Sequence, residues 1–103
     1  MNESDFHRTV DALLERFEAA LSESETLDVD LEGGILDVTC PDGSRVIVNR
    51  QTPNREIWVA ARSGGFHFRH SDGEWRDTRS GEELVASLER ILEQQSGEKI
   101  ALE

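Results

Sequence analysis

The chain has 103 residues, 22 acidic against 11 basic side chains and a single cysteine, Cys40, which makes it one domain (residues 1–103) with a formal net charge of −11. A lone cysteine excludes a disulfide framework and a CxxC metal or redox pair, and the negative field disfavours nucleic acid and anionic membrane. No apolar run approaches the roughly 18 residues of a membrane span and no basic-then-apolar leader opens the chain, so a cytoplasmic protein is expected.

Residues 4–22 read as an amphipathic helix that Asn2 or Ser4 can cap, with Phe6, Val10, Leu13, Leu14, Phe17 and Leu21 at spacings of three and four. At about 100° per residue, His7, Asp11, Glu15 and Glu18 form a second stripe bordering the apolar one, with Glu3 near its start. Asp11 with Glu15 and Glu15 with Glu18 are like-charge neighbours, each costing about 0.2–0.5 kcal/mol in an exposed helix, so the stripe works against stability. The negative charge is concentrated here: residues 1–32 hold ten acids against two arginines, a net of −8, and residues 33–103 hold twelve acids against nine bases, a net of −3.

After a short SESET link, LDVDLE alternates Leu27, Val29 and Leu31 with Asp28, Asp30 and Glu32, the period-two pattern of a half-buried strand. If that strand lies at the sheet edge beside the helix, Asp28 and Asp30 join the acidic stripe in one ridge; carboxylates in such a place also discourage edge-to-edge pairing. Glu32-Gly33-Gly34, Pro41-Asp42-Gly43, Thr52-Pro53-Asn54, Ser63-Gly64-Gly65 and Ser71-Asp72-Gly73 then punctuate further short apolar runs. Closely spaced turns imply an antiparallel meander of about six strands. Within it, Val46 and Val48 are expected to face the helices, which sends Asn49 and Gln51 to the opposite face together with Trp58, an exposed anchor suited to a partner protein.

Ser80 and Glu83 have capping-box spacing for a second helix that buries Leu84, Val85, Leu88, Ile91 and Leu92 and stops at Gly97, while Ile100 and Leu102 are spaced to cover an open end of the core. The fold class is therefore α+β: a two-layer sandwich, N- and C-terminal helices on one face of the sheet.

No nucleophile elbow, Walker loop, HExxH or EF-hand spacing occurs, and Cys40 reads as a buried, inert thiol, so the chain is expected not to be an enzyme. Exposed carboxylates with one histidine are oxygen-rich donors for iron, manganese, calcium or magnesium, bound weakly and at several places. His7 and Asp11, one helical turn apart, can chelate together. His67 and His70 are left out of the metal site because no carboxylate cluster surrounds either in the sequence.

Several stretches carry a family resemblance: NESDFHR at the start, GGIL at the first hairpin, NRQTPNREIWVAA, GGFHF followed by DGEW, and RSGEEL before the second helix. Together they make the chain similar to the bacterial frataxins over nearly its whole length, and NRQ-x-P with IW beyond it is the most specific element. The resemblance implies a helix–sheet–helix sandwich with an iron-binding acidic ridge, here Glu3, His7, Asp11, Glu15, Glu18, Asp28 and Asp30. It implies that the ridge, Glu15 and Glu18 included, docks on a cysteine desulfurase. It also implies that Asn49, Gln51 and Trp58 are partner-binding positions on the sheet face, with Gln51 and Trp58 placed to meet the iron–sulfur scaffold protein; a monomer is expected without metal. Iron, ferrous or ferric, would be weakly bound, and the role would be regulation of iron–sulfur cluster assembly. Two alternatives stay open: an acidic module that mimics a basic surface's partner without binding metal, and an iron-oxidising or iron-storage protein. Phe66 stands where the family commonly carries tyrosine.

Overall fold

The computed structural model describes residues 1–102. Its elements run α1 (Glu3–Leu21), β1 (Asp28–Glu32), β2 (Ile35–Thr39), β3 (Arg45–Gln51), β4 (Glu56–Ala61), β5 (Gly64–Ser71), β6 (Glu74–Asp77) and α2 (Leu84–Ser96). All six strands form one antiparallel sheet in chain order, β1 to β6, as the closely spaced turns predict.

Helix α1 starts where the Asn2 side-chain oxygen accepts the Asp5 backbone N–H at 2.7 Å, satisfying one of the first-turn amides that have no partner within the helix. Its six apolar side chains, Phe6 to Leu21, are all buried. They meet the sheet's inner side chains, Leu36, Val38, Val46, Val48, Ile57, Val59, Phe68 and Trp75, while α2 adds Leu84, Leu88, Ile91 and Leu92 to the same core. Ile100 and Leu102 are buried as the spacing suggests, and the Leu102 N–H is held by Glu89 at 2.9 Å. Cys40 lies just beyond β2 and is buried.

Two local expectations need correction. The Ser80–Glu83 capping box does not form: α2 begins at Leu84, and Glu83 itself is the cap, accepting the Val85 and Ala86 N–H groups. Ser80 and Gly81 are instead drawn into a turn closed by Asp77, whose carboxylate accepts from the N–H groups of Arg79 and Ser80 and whose carbonyl accepts from Gly81. The second correction concerns the β4–β5 hairpin, which turns at Arg62–Ser63, so that Gly64 and Gly65 belong to β5 and pair with Ala61 and Ala60.

Candidate functional site

The acidic segments α1 and β1 are neighbours in the fold, but their carboxylates do not form one continuous surface. β1 is the edge strand and α1 packs beside it, so the two segments share that edge. Strand alternation divides their carboxylates. Val29 and Leu31 turn inward onto the core, so Asp28 and Asp30 project from the opposite side of the sheet, into a shallow cleft with Asp37 and Thr39. Asp30 sits directly across from Asp37. The Arg45 guanidinium bonded to Asp37 holds its carboxyl below the ordinary range against the opposing effect of burial, leaving Asp28 and Asp30 as the cleft's carboxylates without an ion pair among the described residues.

On the helix side, Asp11 and Glu15 border a groove with Glu32, Leu31, Gly33, Gly34 and Arg50. Glu32 was not among the sequence candidates and joins them because it ends β1 beside the turn. Arg50 is bonded to Asp11 and lies flat on Gly34, where a Cβ would come within 2.9 Å of its guanidinium carbon. Gly34 has φ +79°, so Gly34→Ala is expected to cost about 1–2 kcal/mol in a denaturant melt and to push Arg50 away from Asp11. His7 shares a hydrogen bond with the Thr52 hydroxyl at 3.0 Å, and Glu3 lies 3.8 Å from Arg55. Glu15 and Glu18 form no ion pair with another described residue. Among the described residues, no three His, Cys, Asp or Glu side chains converge as a metal cluster. The ridge can therefore offer a hard cation one or two carboxylates at a time, with water completing its shell.

The sheet face turned away from the helices is the second surface. Asn49, Trp58 and His67 lie side by side across β3, β4 and β5, with Ile35, Ile47, Ala60 and Gly65 around them, lining an open, largely apolar groove of about 300 Å³. Ile35, 43 % exposed, is one of two large apolar side chains left open among the described residues. Trp58 is less open than an unsupported anchor would be. The His67 ring stacks on it at 4.2 Å between centroids and 8° between planes, and its indole N–H donates to Glu56 at 2.8 Å. Glu56 is 4 % exposed and also accepts from Arg69 at 2.6 and 3.2 Å. Burial alone would raise the Glu56 carboxyl, but the hydrogen bonds from Trp58 and Arg69 outweigh it and hold it below its ordinary value. Gln51, across from Glu56, keeps its carboxamide oxygen out of water with no donor among the described residues, a cost of about 1–3 kcal/mol that the side chain recovers if it turns outward to a donor.

Sequence reasoning missed Glu56, His67 and Arg69. The signal lay in the β4–β5 register: a two-residue turn at Arg62–Ser63 sets Trp58 opposite His67 and Glu56 opposite Arg69, and a turn placed at Ser63-Gly64-Gly65 hides both pairs. A further cleft lies between β5 and α2, lined by Phe66, Asp77, Arg79, Glu82 and Arg90. Its carboxylates are already engaged, Glu82 by Arg90 and Asp77 by two backbone N–H groups, so it presents little free chemistry.

Comparison with known proteins follows the same lines. A family model described as the frataxin-like domain matches residues 1–98. The chain is 47 % identical over 107 residues to the iron-sulfur cluster assembly protein CyaY of Ralstonia nicotianae, covering 99 % of this chain and 95 % of that one. It is 44 % identical to the protein of the same name in Vibrio cholerae, covering 97 % of each. Among solved structures, frataxin from Psychromonas ingrahamii superposes with a TM-score of 0.92 at 32 % identity, over 100 % of this chain and 99 % of that one. Trimeric frataxin from Saccharomyces cerevisiae, complexed with ferrous iron, superposes with a TM-score of 0.71 at 31 % identity, over 95 % and 88 %.

Proposed function

The chain belongs to the frataxin-like domain family, and from that premise we propose that it is an iron-binding regulator of iron–sulfur cluster assembly in the cytoplasm, an adaptor and not a catalyst. Its acidic margin docks on a basic surface of the cysteine desulfurase, and its open sheet face, with Asn49, Gln51 and Trp58, meets the scaffold protein on which clusters are built.

The observation that carries this reading is the density of carboxylates, most of them uncompensated, on α1 and on the edge strand packed beside it. Glu15, Glu18, Asp28, Asp30 and Glu32 lack ion-pair partners among the described residues, while Glu3, Asp5 and Asp11 of the same two segments meet Arg55, Arg8 and Arg50; on the other strands Asp37, Glu56 and Glu74 each have an arginine. A fold that tolerates repulsion along α1 gains from it through what the charge attracts, and exposed rim charges of this kind act mainly on encounter and specificity. Iron is cargo here. His7 and Asp11 can hold it together once Arg50 releases Asp11, and Glu15 with Glu32, or Asp28 with Asp30, offer further weak oxygen sites.

Glu15→Lys combined with Glu18→Lys tests the docking. Titration calorimetry against the desulfurase is expected to show at least about tenfold weaker binding, equivalent to about 1.4 kcal/mol, with the melting temperature little changed. Unchanged affinity with an intact fold removes the docking model.

The lack of three converging donors among the described residues favours a second reading, an acidic docking module that binds no metal physiologically. A ferrous titration followed by NMR separates the two. Selective perturbation of His7, Asp11, Glu15 and Asp28 supports iron binding at the ridge, and uniform small shifts support the metal-free module.

A further inference from the structure

We infer that Glu56 is a positioning residue for docking through the open sheet face, fixing the Trp58 indole in the orientation the scaffold protein meets; the inference rests on the sheet-face reading above.

Glu56 is the buried centre of a four-residue arrangement. One carboxylate oxygen accepts the indole N–H at 2.8 Å and the other accepts the Arg69 guanidinium at 2.6 Å. The first oxygen also lies 3.9 Å from Nδ1 of His67, the ring stacked on that same indole. Both members of the stack are thus referred to one anionic group. Strand geometry makes this possible, because Glu56 and Trp58 are two residues apart on β4 and share a face, and their cross-strand partners Arg69 and His67 are two apart on β5. A tryptophan on an open face ordinarily has two side-chain torsions to lose on binding. Here the N–H bond and the ring stack fix them in advance, which lowers the ordering cost of association.

Arg69 has its own part. Its side chain is largely exposed while the Glu56 side chain is only 6 % exposed, so the guanidinium supplies the compensating charge that keeps the carboxylate ionised under the indole. The lowered carboxyl of Glu56 agrees with that arrangement. The indole N–H is consequently spent within the chain, so Trp58 presents the partner an apolar ring and not a donor. The groove it borders, with Ile35, Ile47, Ala60 and Gly65, suits an apolar side chain.

Two variants test the inference. Glu56→Ala removes the acceptor; Glu56→Gln keeps a carbonyl oxygen in its place and removes the charge. Solvent exchange of the indole N–H, read by NMR on the free protein, is expected to rise at least about tenfold in E56A and to stay within about threefold of wild type in E56Q. Affinity for the scaffold protein, by calorimetry, is expected to fall about tenfold in E56A and to recover in E56Q. Unchanged exchange in E56A overturns the tether. Faster exchange with undiminished affinity, where Trp58→Ala does weaken binding, overturns the positioning role. If Trp58→Ala also leaves affinity unchanged, the sheet-face reading itself fails and the positioning role fails with it, although the tether remains measurable in the free protein.

Discussion

Trp58→Ala is expected to weaken binding of the scaffold protein at least about thirtyfold, the loss of a hot-spot side chain worth 2 kcal/mol or more. Sequence alone gives Trp58 the stability cost of a surface residue, within about 1 kcal/mol. The structure raises that figure to about 1–3 kcal/mol, because truncation strips His67 of its stacking partner and leaves the buried Glu56 carboxylate one donor short. The loss should also depend on pH. Glu56 titrates below its ordinary value in the folded chain, so its contribution is complete above the unfolded-state carboxyl value and disappears as pH falls through the lowered folded one. Losing the indole N–H moves the folded value upward. The part of the destabilisation that runs through Glu56 is therefore full at neutral pH and shrinks in acid, where wild-type and variant stability curves converge. Urea melts across pH 3–7 check this, and a gap that stays constant or widens in acid contradicts the role given to the carboxylate.

Phe6→Ala should be the most destabilising of these changes, at about 3–5 kcal/mol of unfolding free energy, the range for emptying a buried phenylalanine site. The Phe6 ring is fully buried in the first turns of α1 and meets Trp75 of β6 edge-on at 6.0 Å. It fastens the start of the acidic helix to the strand farthest from β1. A loss of that size is a large share of the 5–15 kcal/mol typical of a small domain. Desulfurase binding should suffer only through the unfolded fraction, so affinity per folded molecule, corrected with the measured melt, is expected to stay near wild type. A loss below about 1 kcal/mol would mean that the first turns of α1 do not depend on this contact.

The fold was legible because its signals are local. Apolar spacing of three and four marked both helices, period-two alternation marked β1 and β4, and Gly33-Gly34 and Asp72-Gly73 sit at the two hairpins they announce, each with positive φ. Placing Val46 and Val48 inward correctly put Asn49 and Trp58 on the other face. Competition between local alternatives hid the rest. Ser80 has the chemistry of a helix cap, but Asp77 captures the backbone around it first, so the cap passes to Glu83. Asp28 and Asp30 were correctly assigned to the strand beside α1, yet alternation turns them to the far side of the sheet, away from Asp11 and Glu15. The Glu56–Arg69 and Trp58–His67 pairs depend on register, and a one-residue error in a turn is enough to lose them.

Strands laid side by side in the order in which the chain is made have a consequence for synthesis. Each can find its neighbour as soon as it leaves the ribosome, with no distant loop to close, and α1 is already present to shield part of the growing sheet. The remaining shield is encoded last, by Leu84, Leu88, Ile91, Leu92, Ile100 and Leu102. A nascent chain halted before residue 84 would thus carry a finished meander with its greasy underside partly bare, and chaperone dependence should be greatest in that final stretch of translation.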